Sequence, residues 1–213
     1  DSLINEGNFD GFVASYNLSG KLLNYSNVAK NSNLQWLTEI AFDNQGNIVV
    51  AGGYSNNSLV GNNDFYIEST SGSGTFLASL DNSLNVVWLN NYETTNLFTT
   101  ISNLYSNDNS LYFGGNFTGS ISFISKNLNS YSGSKDLFLA RADLDGNEDW
   151  IRQIGSSSTD ASFNLKLDNF NNIYVLANYE AVPLYIDSTS FEKSERNTYY
   201  GGKYVLFAKY NIS

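Results

Sequence analysis

The residues best suited to chemistry in this chain are carboxylates. Asp143, Asp145, Asn147 and Asp149 form D-x-D-x-N-x-D, the opening of an EF-hand calcium loop. The pattern then breaks, because Glu148 stands where that loop needs glycine and Ile154 where it needs a bidentate glutamate. The stretch therefore reads first as a hairpin turn, with calcium beside Asp143 and Asp145 left open. Paired carboxylates facing one cleft can also cleave a glycosidic bond. The remaining acids (Glu39, Asp64, Glu68, Glu93, Asp160, Glu180 and Glu192) are scattered and read as solvated surface charge.

Other mechanisms are removed by composition. The chain has no His, no Cys and no Met. That excludes a Ser-His-Asp triad, a thiol nucleophile, a disulfide, a thiolate metal site and an HExxH zinc site. No catalytic, cofactor-binding or metal residue is assigned, and the expectation is a protein that is not an enzyme. Eleven basic residues against twenty-one acidic ones, a net charge of −10, argue against nucleic acid and anionic membranes. No apolar run reaches the roughly 18 residues of a membrane span. Asp1 is read as following a cleavage or a trimming, since residue 1 is not Met.

Asn makes up about 15% of the chain, so the sequons at Asn17, Asn24, Asn56, Asn116 and Asn211 are no more than composition supplies. Aromatics make up another 15%, enough to build a core. Phe12, Phe76 and Phe138 recur in register, as do Tyr54, Phe117 and Tyr179, and so read as core. Tyr199 and Tyr200 have no counterpart and are the better candidates for a contact surface, including one that stacks on sugar.

These residues sit on an internal repeat. FVASYN (12–17), FLASLD (76–81), FLARAD (138–143) and LFAKYN (206–211) place Ala14, Ala78, Ala140 and Ala208 at spacings of 64, 62 and 68. A second phrase keeps the period: NIVVAGGY (47–54), SLYFGGNF (110–117) and NIYVLANY (172–179). Trp88 and Trp150 each follow their anchor alanine by ten residues, Asn24 replaces that Trp in the first copy, and Trp36 is out of register. Within the third copy, 137–143, 148–154, 162–168 and 172–178 read as strands, being rich in Val, Ile, Leu, Phe and Tyr between turn residues. Alternation puts Phe138, Ala140 and Ala142 on one face and Leu137, Leu139 and Arg141 on the other. LDGN (144–147) joins the first two as a hairpin. A shorter fifth run follows in each copy at 64–69, 120–125 and 183–187, and essentially no helix is expected.

Four strands per repeat, in repeats that cannot bury their faces alone, describe a β-propeller blade. The stretch 134–179, SKDLFLARADLDGNEDWIRQIGSSSTDASFNLKLDNFNNIYVLANY, resembles the bacterial β-propeller repeat of the SBBP type. It departs from that pattern at Asn171, where glycine is usual. The expected fold is all-β: three four-stranded antiparallel blades plus one extra strand, an incomplete propeller. The repeats are placed at about 11–74, 75–136 and 137–203, with a fourth beginning at 204–213. The resemblance implies an extracellular or cell-surface setting and no specific activity.

Three function classes remain: an extracellular structural or interaction module, a carbohydrate-binding or carbohydrate-cleaving propeller, and an intracellular scaffold. The first is preferred. Its partners would be protein, meaning other blades or copies of itself joined by strand addition, with carbohydrate as a further possibility. The strand at 204–210 is expected not to close a ring onto the chain's own first blade. Either it pairs within the third blade region or it adds to another copy.

Overall fold

The computed structural model describes residues 8–31, 33–97, 99–192 and 203–210. They form nineteen strands and, among the described residues, no α-helix; one 3-10 turn occurs at Tyr131–Gly133. The first strands are β1 (Gly11–Tyr16), β2 (Leu22–Lys30), β3 (Gln35–Phe42), β4 (Ile48–Ser55), β5 (Ser58–Val60) and β6 (Phe65–Ile67). Then come β7 (Ser73–Leu80), β8 (Val86–Thr94), β9 (Thr100–Ser106), β10 (Ser110–Thr118), β11 (Ser120–Ser122) and β12 (Asn127–Asn129). The last are β13 (Lys135–Asp143), β14 (Glu148–Gly155), β15 (Ala161–Leu167), β16 (Ile173–Tyr179), β17 (Leu184–Ile186), β18 (Thr189–Phe191) and β19 (Tyr204–Tyr210).

The strands make four sheets, none closed on itself. Their orders are β1-β2-β5-β6, then β12-β11-β8-β7-β4-β3, then β18-β17-β14-β13-β10-β9, and finally β15-β16-β19. Every pairing between these strands is antiparallel. This corrects the expectation of three four-stranded sheets with one repeat in each. The long hairpins β7–β8 and β9–β10 belong to one sequence repeat but lie in different sheets. The ladders joining β4 to β7 and β10 to β13 run instead between successive repeats. Strands adjacent in sequence usually pair, which made the repeat look like the sheet. Here β8 and β9, consecutive in the chain, lie in different sheets, so repeat and sheet are half a period out of phase.

The short runs also need correction. Each is half of a small hairpin, and 64–69 contains the second strand (β6), whereas 120–125 and 183–187 contain the first (β11 and β17). Each hairpin leaves the sheet its repeat has just entered and returns to the outer edge of the preceding one. Thus β5 pairs with β2, β11 with β8 and β17 with β14.

The sheets stack face to face. Val28, Val60, Val50, Phe76 and Leu80 fill the space between the first and second sheets. Leu77, Tyr92, Phe113, Phe117 and Phe138 lie between the second and third. Leu139, Ile154, Leu165, Ile173 and Val175 lie between the third and fourth. The alternation read in β13 is thereby explained on both faces. Phe138, Ala140 and Ala142 enter one core while Leu137 and Leu139 enter the next. A sheet with cover on both faces buries nearly every position, as β7 shows by being buried throughout, with Ser73 and Thr75 donating their hydroxyls to backbone carbonyls. At the inner edge β9 bulges against β10 beside Gly115. A Cβ on Gly115 would lie 1.8 Å from the Thr100 carbonyl oxygen, so only glycine allows this approach.

Strand β19 pairs with β16 along its whole length, Tyr204 opposite Tyr179 and Tyr210 opposite Ile173. Strand β1 pairs with β2. Of the two outcomes foreseen for 204–210, the structure has pairing within the chain's own last sheet.

Candidate functional site

The D-x-D-x-N-x-D stretch is the turn between β13 and β14. Asp143 Oδ1 accepts the backbone N–H groups of Asp145 at 3.0 Å and Asn147 at 2.8 Å, and Oδ2 accepts Asn147 Nδ2 at 2.9 Å. Gly146 takes the left-handed conformation at φ +84°. The same clamp recurs at Asp43, Asp81 and Asp168. Asn17 does the same with one oxygen, taking the N–H groups of Ser19 and Lys21. These carboxylates hold turns, and their N–H donors occupy the lone pairs a cation would need. Hydrogen bonds led by the Asn172 side chain lower the Asp168 pKa, and those led by the Asn85 backbone lower that of Asp81. Asp149 lies 3.3 Å from Arg141. Among the described residues no group of three or more acids could hold a metal ion.

The other acids do not converge. Asp64 pairs with Lys30 at 2.6 Å and Glu180 with Lys203 at 3.6 Å. Glu93 accepts the Thr70 backbone N–H at 2.6 Å. Glu39 is half-buried on β3, and burial raises its pKa against a smaller opposing effect of Lys166. Glu68 and Glu192 are exposed. Tyr199 and Tyr200, and the sequon at Asn211, lie outside the described residues.

Asp160 is different, and its neighbour Asp136 was not singled out from the sequence. Both are fully buried where β13 and β14 meet the loop into β15. Asp136 Oδ2 accepts Gln153 Nε2 at 2.7 Å and the Tyr131 N–H at 3.0 Å, while its buried Oδ1 has no partner. Gly155 makes room for this carboxyl, since a Cβ there would lie 2.4 Å from it. Asp160 accepts the Ser156 N–H at 2.6 Å and its hydroxyl at 2.9 Å. Burial pushes the Asp136 pKa up to about 7 and that of Asp160 to about 6. Asp136 holds the place in GSKDLF (133–138) that Asp10 holds in GNFDGF (7–12). No sequence signal said that it would be sealed from water.

The two tryptophans stand in equivalent register, Trp88 opposite Ser79 and Trp150 opposite Arg141. Both are half-buried. Trp88 reaches across to the next sheet. Its indole N–H donates to the Leu144 carbonyl at 2.8 Å, and its ring lies against Gly146. Trp150 packs on the core between the third and fourth sheets, with the Arg152 guanidinium 5.9 Å from its ring centroid.

Apolar exposure concentrates at the two ends of the stack. At one end a groove of about 300 Å³ runs between the unpaired edge of β1 and the face of β3, lined by Val13, Ala14, Leu37, Ile40 and Val50 among others. Beside it Phe42 and Tyr16 are exposed. At the other end Leu176, Val205 and Phe207 are exposed on the outer face of the fourth sheet. No protein-family model matches the chain, and no curated protein matches it either.

Proposed function

We propose that this chain is a non-catalytic structural and interaction module, extracellular or on a cell surface, built of β-propeller-type repeats. One observation carries the reading: each complete sheet is assembled from two successive repeats, so the sheets at both ends of the stack present edges and apolar faces suited to further repeats. The carboxylates support it by their engagement, since the buried pair and the turn aspartates hold the fold together. The residues that would favour a carbohydrate reading, exposed aromatics beside paired carboxylates, are not joined at Asp136 and Asp160, which are sealed in the core. This arrangement favours protein partners over sugar.

The test is surface labelling. Intact producing cells treated with a membrane-impermeant, amine-reactive biotin should yield labelled protein through lysines such as Lys21 and Lys203. Label incorporated only after lysis would refute the extracellular placement.

A further inference from the structure

The groove beside β1 can be compared with its own sister positions. By strand register, Leu37 corresponds to Ile101, and Ile40 to Leu104 and Leu165. Leu104 is 5% exposed and Leu165 is fully buried, yet Ile40 is 52% exposed. The cause is the neighbouring sheet. Over Leu104 and Leu111 lie Ala41, Val49 and Ala51 of β3–β4, and over Leu165 and Ile173 lie Tyr105 and Tyr112 of β9–β10. Among the described residues the first sheet has no such inner hairpin, and β1 is its edge. In the second and third sheets the strand matching β1 is paired on that side, β7 by β4 and β13 by β10. The groove is continuous with the core between the first and second sheets, to which Val13, Leu37 and Ile48 already belong. Its missing occupant is therefore defined: an antiparallel hairpin of the β3–β4 type, hydrogen-bonded to β1.

One such hairpin in the described structure lacks its full complement of outer neighbours, namely β15–β16 in the fourth sheet. There β16 is paired by β19, whose LFAKYN (206–211) repeats the phrase FVASYN (12–17) of β1. We propose that two copies of this chain exchange these strands. In the exchanged form β1 of each copy replaces β19 on β16 of the other, giving a sheet ordered β15-β16-β1-β2-β5-β6 like the two complete ones. Ala14 then lies opposite Val175, where Ala208 lies now. Tyr174 and Leu176 of one copy cover Leu37, Ile40 and Ile48 of the other. The exchange made at both ends closes a two-fold dimer of six sheets, within the usual range of about four to eight for a ring. This rests on the propeller-repeat reading above.

The closing experiment is light scattering of the full chain over a concentration series, after long incubation to allow exchange. The expected mass is twice 23.6 kDa, with no larger species. Ile40→Glu should leave the monomer's circular dichroism unchanged, since that side chain is already half exposed, and weaken dimerisation roughly tenfold or more. Ala208→Pro should do the opposite, releasing β19 from β16 and raising the dimer fraction. Because the chain has no cysteine, mixing Ala14→Cys with Val175→Cys copies under oxidation reports the register directly as a disulfide-linked pair. A full chain and an Ala208→Pro variant that both stay monomeric would overturn the exchange. So would a dimer indifferent to Ile40→Glu, or a mass that keeps climbing with concentration. None of these results bears on surface labelling, so the two readings fail separately.

Discussion

A buried carboxyl with one unpartnered oxygen makes Asp136 a source of pH-dependent stability. Its folded pKa of about 7 lies above the usual carboxylate value, so the native state holds a proton that the unfolded chain has released. The contribution is complete below about pH 4 and is lost as pH rises through about 7, a difference on the order of 4 kcal/mol. Asp136→Asn keeps a neutral, hydrogen-bonding side chain in the same space. Urea unfolding followed from pH 4 to 8 should show this part of the slope vanish, with Asp160 supplying a smaller slope of the same sign. An unchanged slope would mean that the carboxyl is ionised in the fold. The tryptophans make a second comparison. Trp88→Ala removes both an intersheet hydrogen bond and ring packing on the next sheet's turn, at about 3–5 kcal/mol. Trp150→Ala loses packing on the core between the third and fourth sheets without an intersheet hydrogen bond like that of Trp88, and should cost less by about 1 kcal/mol, the worth of one hydrogen bond. Equal losses in denaturant titrations would remove the distinction.

At the scale of elements, the aspartate-clamped turns set where one strand ends and the next begins. Each Asp accepts two backbone N–H groups of its own turn, so Asp143→Ala leaves those donors to water and frees the β13–β14 register. A loss of about 1–2 kcal/mol is expected, with faster amide exchange confined to 143–148 and to the tip of Trp88 that leans on it. The strands themselves were readable from residue types. All four runs taken from the third copy are strands within a residue or two, because two-faced burial demands the Leu, Val and Phe that mark them. Their partners were not readable. Nothing in LFLARAD distinguishes an edge of its own repeat from the middle of a sheet shared with the previous one, since backbone pairing leaves no side-chain signature. Of the site, the turn held by Asp143 was legible through LDGN (144–147), whereas Asp81 and Asp168 clamp turns without that glycine. The burial of Asp136 depends on Gly155 and Gln153, which come together only through the β13–β14 pairing, and so it was hidden.

Across the whole molecule, the short hairpins tie each sheet to its neighbour. β11–β12 and β17–β18 each leave one sheet and finish the one before it, so no sheet can open without pulling on the next. Unfolding should therefore be a single cooperative event despite four separate sheets. Tryptophan fluorescence and far-UV circular dichroism should give coincident denaturant midpoints, whereas a shift between them would reveal sheets melting one by one.

The same backward step has a meaning in time. A nascent polypeptide leaves the ribosome N-terminus first, and by the end of β8 its sheet still waits for β11, which begins at Ser120. Before that strand emerges, β9 and β10 must already have started the following sheet. Synthesis thus never pauses at a finished layer: at every moment the growing end carries one sheet awaiting its outermost strands and another just begun.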